Sequence, residues 1–167
     1  MRLFTDVISD DEMFSDKFPI KEVDDIVYEV DCALIEITRG PVEIGTDPSA
    51  EEQEEAPEDN TVTVNNVVHS FHLRPTNFDK KTYIMHLKGY MRAIRKHLEK
   101  TNPSRAHEFE QCASQYAKKI VANFRSFEFY TGGSMNGEAM VALLNYRDDG
   151  ETPFFTFWKD GLDVVDY

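Results

Sequence analysis

The sequence predicts an α+β fold, in which strands and helices occupy separate parts of the chain. Segments rich in Val, Ile, Tyr and Phe stand near both ends, and a long stretch with helical periodicity lies between them. Asp-Gly pairs at 149–150 and 160–161 have the composition of hairpin turns. This segregation favours an α+β domain over a parallel α/β sheet. At 167 residues, one domain spanning residues 1–167 is expected.

The N-terminal third is predicted to form short strands. β-branched residues and tyrosine, interrupted by acids and proline, mark Arg2 to Ile8, Ile26 to Val30 and Leu34 to Thr38. Apolar alternation resumes over residues 62–73, which predicts a further strand with one buried face.

Residues 77–124 are predicted to form two helices. Thr76 and Asp79 match a capping box before the first helix, and Asn102 and Pro103 suit the start of the second. Because the connection is short, the helices should run antiparallel as a hairpin. The predicted apolar stripes are Ile84, Leu87, Met91, Ile94 and Leu98 on the first helix, and Phe109, Ala113, Tyr116, Ile120 and Phe124 on the second.

The C-terminal part is predicted to return to strands. Apolar and aromatic runs cover residues 127–130, 140–146 and 154–158, and the two Asp-Gly pairs follow the second and third runs.

An acidic segment at residues 45–60 is predicted to be a mobile surface loop. It holds seven acids and no large apolar residue, so it cannot bury enough surface to order itself. Its carboxylates could collect around calcium, with weak affinity, through Asp47, Glu51, Glu52 and Glu55. A solvated charge run without a ligand is the alternative.

The helical hairpin carries a cluster of positive charge in an otherwise acidic chain. The chain has 31 acidic and 18 basic residues, a net charge of −13, which argues against nucleic acid as the main partner. Eight of the basic residues are Lys80, Lys81, Lys88, Arg92, Arg95, Lys96, Lys100 and Arg105. The first six are predicted to contact an acidic partner such as the microtubule surface, and a solvated helix face is the alternative.

The sequence shows no recognisable catalytic motif, so we expect a binding protein and not an enzyme. The glycine-rich residues 132–137 lack the lysine of a phosphate-binding loop and are predicted to be a plain turn. His69 and His72 should project from opposite faces of a strand and share no metal. Two cysteines without a paired spacing, no leader pattern and no membrane-spanning run predict a reduced, cytoplasmic protein.

Several long segments resemble the translationally controlled tumour protein family, also called fortilin or histamine-releasing factor. They are ISDDEMFSD (8–16), DPSAEE (47–52), ANFRSFEFYTGG (122–133), MVALLNYRDDG (140–150) and FWKDGL (157–162). The resemblance runs from end to end. It implies a twisted antiparallel β-tent core with a projecting two-helix hairpin and a disordered acidic loop, similar to a small Rab exchange factor and chaperone without that fold's zinc cysteines.

The resemblance also implies functions. These are calcium binding, microtubule association, growth promotion through a Rheb-like small GTPase, and contacts with anti-apoptotic Bcl-family proteins and translation elongation factors. It points to Glu12, with its neighbours Asp11 and Met13, as the GTPase-binding segment, although an exposed turn acid is the alternative for Glu12. Secretion without a signal peptide is a further expectation. Two hypotheses result, a multi-partner binding protein and a nucleotide-exchange factor or chaperone for the GTPase.

Overall fold

The computed structural model describes residues 1–38 and 61–166. Within these residues the chain forms eleven strands and three α-helices. The strands are β1 (Arg2–Asp6), β2 (Glu12–Ser15), β3 (Ile20–Val23), β4 (Val27–Asp31), β5 (Leu34–Thr38), β6 (Thr61–Asn65), β7 (Arg74–Thr76), β8 (Glu128–Thr131), β9 (Val141–Tyr146), β10 (Pro153–Trp158) and β11 (Leu162–Asp166). The helices are α1 (Asn66–Phe71), α2 (Lys80–Thr101) and α3 (Pro103–Ala122).

The strands of the described residues form three sheets, and all their pairings are antiparallel. One sheet has the order β11-β1-β2, the largest has the order β3-β4-β10-β9-β8-β7, and β5 pairs only with β6. Strand β10 lies inside the largest sheet, and every one of its six residues is buried. The predicted α+β fold with antiparallel sheets and a helix pair is confirmed.

The predicted strand over residues 62–73 is wrong beyond residue 65, because the chain turns into helix α1. The Asn65 side chain accepts hydrogen bonds from the backbone N–H groups of Val67 and Val68, at 2.9 and 3.1 Å, and so caps the helix. Val67 and Phe71 stand one helical turn apart, so their spacing fits a helix as well as a strand. The helix ends at His72, whose φ of 57° is left-handed. His69 therefore lies on a helix and His72 at its end, so the predicted strand geometry for this pair is also wrong.

The predicted hairpin is confirmed, with α2 and α3 separated only by Asn102. The capping box lies three residues later than predicted. The Asp79 carboxylate accepts a hydrogen bond from the Thr82 backbone N–H at 2.8 Å, and the Asp79 N–H donates to the Thr82 hydroxyl at 3.1 Å. Thr76 instead belongs to β7.

The buried face of α2 differs in part from the predicted stripe. Tyr83 and Tyr90 are buried beside Leu87, Ile94 and Leu98, while Ile84 and Met91 are only half-buried. The tyrosine rings turn this face towards the sheet because aromatic side chains bury the most area. The Tyr83 ring lies 5.0 Å from that of Phe129 on β8, measured between centroids. Ile84 and Met91 consequently lie at the edge of the core, towards solvent.

The two Asp-Gly pairs behave differently. Gly150, with φ of 74°, lies in the turn that joins β9 to β10, as predicted. Residues 159–161 form a 3₁₀ turn, after which the chain leaves the largest sheet and pairs as β11 with β1. The predicted hairpin at 160–161 is therefore wrong.

Candidate interaction surface

The exposed face of α2 carries a line of positive charge, which we call the basic ridge. It consists of Lys81, Lys88, Arg92 and Lys96, all exposed. Lys88, Arg92 and Lys96 follow one another at intervals of four, so they lie one above the other on one side of the helix. Lys81 stands two turns before Lys88 on the same side. Lys80 also lies exposed in the first turn of α2.

The ridge is free of internal ion pairs within the described part of the chain. None of its four cations, nor Lys80, forms one of the salt bridges among residues 1–38 and 61–166. Arg95, in contrast, contacts Glu99 at 3.4 Å and Glu110 at 2.7 Å. Five of the six predicted microtubule-binding side chains are thus available to a partner, and Arg95 is already engaged.

Arg105 belongs to the anchoring of the hairpin and not to the basic ridge. Its guanidinium donates to both carboxylate oxygens of Asp160, at 2.9 and 2.8 Å, and to the carboxylate of Asp25 at 2.9 Å. The hydrogen bonds that Arg105 donates to Asp160 raise the pKa of Arg105 above its ordinary value, although burial opposes this. The start of α3 is thereby held against two turns of the sheets.

An apolar groove runs beside the ridge, between α2 and α3. Its volume is about 460 Å³, and its α2 wall consists of Ile84, Leu87, Lys88 and Met91. Small side chains form most of the α3 wall, which consists of Ser114, Ala117, Lys118, Val121 and Ala122. The sequence prediction missed this groove, because it placed Ile84 and Met91 in the core. A signal in the sequence could have indicated the groove, namely the recurrence at helical spacing of positions 114, 117, 118 and 121.

The predicted GTPase-binding segment lies at the start of β2, an edge strand paired with β1. Glu12 is exposed, and its carboxylate forms no hydrogen bond or ion pair with the described residues. Met13 is fully buried in the core, so its side chain packs beneath β2 and is not accessible to a partner. Of these two neighbours, only Glu12 is accessible to a partner.

Asp11 connects this segment to the turn between β8 and β9. Its carboxylate accepts hydrogen bonds from the Ser134 hydroxyl at 2.7 Å and from the Ser134 backbone N–H at 3.2 Å. Gly132 lies so close that a Cβ there would collide with the Asp11 carboxylate. The glycine-rich residues 132–137 thus connect two strands, as predicted, and hold Asp11 in place.

A second concavity, of about 400 Å³, lies on the other side of α2. Met85, His86, Gly89 and Glu138 contribute to its lining. Burial lowers the pKa of His86, although a backbone hydrogen bond with Gly137 opposes the change. His86 is therefore neutral at physiological pH and acts as a packing residue here.

The predicted calcium ligands Asp47, Glu51, Glu52 and Glu55 lie outside the described residues. Within residues 1–38 and 61–166, no group of three or more His, Cys, Asp or Glu side chains is placed to hold a metal ion. No helix in this part of the chain combines the length and apolar character needed to cross a membrane.

These features define a class of protein, an α+β scaffold whose helical hairpin exposes a basic ridge beside an apolar groove. Comparison with known proteins identifies the family. The model of the translationally controlled tumour protein family matches residues 1–163. The chain is 56% identical over 162 residues to the translationally-controlled tumor protein homologs of Yarrowia lipolytica and Mycosarcoma maydis, with 97% of each chain covered. The chain therefore belongs to the translationally controlled tumour protein family.

Solved structures support the same assignment. The translationally controlled tumor-associated protein of Schizosaccharomyces pombe superposes with a TM-score of 0.87 at 52% identity, covering 100% of both chains. The translationally-controlled tumor protein of Caenorhabditis elegans superposes with a TM-score of 0.71 at 25% identity, covering 100% of this chain and 99% of the other. The fold is thus shared with both of these relatives over all or nearly all of their length.

Proposed function

We propose that this protein is a non-enzymatic, multi-partner binding protein that binds and stabilises microtubules through the basic ridge of α2. The observation that supports this most directly is the absence of internal ion pairs on the ridge within the described residues, in a chain with net charge −13. In an acidic protein, unpaired cations aligned on one helix face attract an acidic surface and orient it. Tubulin surfaces are acidic and offer such a partner.

Microtubule co-sedimentation tests the proposal. Reversing Lys88, Arg92 and Lys96 to glutamate should weaken binding by at least about tenfold, because three attractive contacts become repulsive. Arg95 is left unchanged, since its reversal would place a carboxylate beside Glu99 and Glu110. Binding by the parent protein should also weaken steeply with salt, because exposed charges are screened over about 8–10 Å near physiological ionic strength.

A charge-matched control separates the ridge from net charge. Lys17, Lys21 and Arg74 are exposed, form no ion pair within the described residues and lie outside the hairpin. Their triple reversal changes the net charge equally, so it should retain most of the binding. Equal loss in both variants, or undiminished binding by the folded ridge variant, would remove the ridge from the proposal.

We also propose weak calcium binding by the acidic segment, through Asp47, Glu51, Glu52 and Glu55. Carboxylate oxygens are the ligands calcium prefers, and a loosely organised set gives dissociation constants of about 10⁻⁴ to 10⁻³ M. Calorimetric titration of the parent and of a variant lacking residues 45–60 tests this. The deletion should abolish binding and lower the thermal midpoint by less than about 5 °C. A dissociation constant near about 10⁻⁷ M would indicate a rigid cage instead.

The second candidate function is nucleotide exchange, or chaperoning, for a Rheb-like small GTPase. The unpartnered carboxylate of Glu12 on an exposed strand edge favours it. Such a carboxylate could compete with phosphate oxygens near Mg²⁺ in a bound GTPase. Nucleotide release from the purified GTPase at substoichiometric amounts of this protein is the test. Glu12→Gln should abolish any acceleration, whereas Glu36→Gln, an exposed acid on β5, should not.

Roles in growth and survival, contacts with Bcl-family proteins and elongation factors, a cytoplasmic location and secretion without a signal peptide are proposed on family membership alone.

A further inference from the structure

We infer that the groove between α2 and α3 is a docking site for an acidic amphipathic helix of a partner protein. This inference rests on the proposed function in one respect, because it takes the basic ridge as a binding surface. The helix that docks in the groove would contact the adjoining ridge as well. It adds the apolar half of the surface and the shape of the segment that binds there.

The groove arises from unequal side chains on the two helices. Ile84, Leu87 and Met91 stand on α2, whereas α3 presents the shorter Ser114 and Ala117. Ile84 and Met91 are half-buried, so part of their apolar surface still faces solvent. Covering such surface is favourable by about 25 cal/mol for each Å² removed from water. The groove therefore gains from an apolar occupant.

Positive charge stands on both walls of the groove. Lys88 lies on the α2 wall and Lys118 on the α3 wall. Neither forms an ion pair with the described residues. An occupant with carboxylates on both flanks of an apolar face would thus be paired on both sides.

The charge continues at the end of the groove. A concavity of about 530 Å³ shares Val121 and Ala122 with the groove. Its charged lining residues are Lys80, Arg125 and Asp79, and the Asp79 carboxylate is engaged in capping α2. Arg125, like Lys80, has no ion pair within the described part of the chain. The acidic residues of a partner can therefore extend beyond the apolar face in this direction.

The dimensions fit a helix. Ile84 and Met91 are seven residues apart, which corresponds to about 10 Å or two helical turns. A third helix lying between two packed helices presents apolar residues at i, i+3, i+4 and i+7. An extended acidic tail could pair with the ridge but would leave the apolar groove uncovered.

Binding of two peptides, measured by fluorescence anisotropy, tests the inference on the full chain. The first is a hydrocarbon-stapled helix of about 15 residues, a length at which an unstapled helix is marginal, with leucines along one face and glutamates on both flanks. The second has the same composition and net charge, with the leucines distributed around the helix. We expect the first to bind at least about tenfold more tightly.

Two variants place the peptide in the groove. Ser114→Trp fills it from an exposed position on α3, and it should weaken binding of the first peptide by at least about tenfold. Gln115→Trp introduces the same side chain at an exposed neighbour outside the groove and should leave binding unchanged. Lys88→Glu with Lys118→Glu should also weaken binding, and the loss should shrink at high salt.

Three results would overturn the inference. They are equal binding of the two peptides, undiminished binding by the folded Ser114→Trp variant, and self-association of the protein alone that this variant abolishes. The last would assign the groove to a second copy of the chain. Microtubule co-sedimentation is measured in parallel. Loss of peptide binding by the folded Ser114→Trp variant supports the groove, whether or not its co-sedimentation changes. Undiminished peptide binding by this variant, together with loss of co-sedimentation in the ridge variant, supports the proposed function alone.

Discussion

Arg105 and Asp160 form a two-pronged ion pair that joins the start of α3 to the turn after β10. The Nε and Nη2 atoms of Arg105 donate to the two carboxylate oxygens of Asp160, at 2.9 and 2.8 Å. Both side chains are largely shielded, with 11% and 8% of their surfaces exposed. Because a planar guanidinium matches a carboxylate in this geometry, the pair fixes the orientation of the hairpin as well as its position.

Arg105→Ala should destabilise the protein by about 3 kcal/mol, since it leaves the buried Asp160 carboxylate without its partner. Urea unfolding measures the change in the free energy of unfolding. Lys119→Ala is the control, because Lys119 also joins α3 to a turn of the sheet, at 2.9 Å from Asp24, but both side chains are about half exposed or more. An exposed pair contributes less than about 1 kcal/mol. Similar losses in the two variants would contradict the anchoring role of Arg105.

Two glycines should respond to alanine in opposite directions. Gly89 lies inside α2, where an added Cβ would face open space with no neighbour within 4 Å, so Gly89→Ala should stabilise by up to about 1 kcal/mol through helix propensity. A Cβ on Gly161 would collide with the Tyr90 hydroxyl and lie 2.8 Å from Met140 Cε. Gly161→Ala should therefore destabilise by about 1–3 kcal/mol. Thermal and urea unfolding measure both changes in the free energy of unfolding. Destabilisation by Gly89→Ala would show that the space for a Cβ on α2 at this position is occupied.

His86 should make the stability of the protein depend on pH below about 6.5, the ordinary pKa of histidine. Burial lowers its pKa in the folded state, so the unfolded chain binds the proton first as the pH falls. The stability that neutral His86 contributes is therefore fully present above its pKa in the unfolded chain. This stability is lost as the pH falls towards its pKa in the folded protein. His86→Gln should reduce this slope below about pH 6.5. His107→Gln, at an exposed position, is the matched control for replacing a histidine by glutamine.

The long elements could be predicted from sequence, and the tertiary arrangement could not. Helices α2 and α3 extend over many turns, so their periodicity is clear, and Asn102-Pro103 marks the break between them. Helix α1 was not predicted, because a segment of six residues fits either period, and the hydrogen bonds that the Asn65 side chain accepts from Val67 and Val68 favour the helix. The switch of the chain between sheets after residue 161 depends on pairing with β1, nearly the whole chain away.

The candidate surface was predictable to a similar degree. Composition identified the basic character of the hairpin, but it could not show which of its cations form ion pairs. Arg95 pairs with Glu110 on the next helix, and Arg105 pairs with Asp160, which is distant in sequence. Lys88 and Arg92 form no such pair within the described residues. The groove depends on how deeply Tyr83 enters the core, which moves Ile84 to the edge. Such side-chain competition for the core has no local signature in the sequence.

The two cysteines should differ widely in reactivity. Cys32 is 6% exposed, and burial raises the pKa of its thiol to about 11, whereas Cys112 is half-buried on α3. The thiolate is the reactive form, so at pH 8 a thiol with a pKa of 11 reacts about a hundredfold more slowly than an ordinary one. We expect reaction with a disulfide reagent at pH 8 to modify Cys112 first, and the folded Cys112→Ser variant to react very slowly.

Two further measurements identify the cause of this difference. Both single variants, Cys32→Ser and Cys112→Ser, should react at similar rates once unfolded in guanidinium chloride, because unfolding removes the burial that raises the pKa of Cys32. In the folded Cys112→Ser variant, the rate should rise about tenfold for each pH unit below about pH 10, as the thiolate fraction does. A rate that stays constant over this range would mean that local opening of the chain near β4 limits the reaction, and the slow reaction of Cys32 would then report on stability and not on the pKa of its thiol.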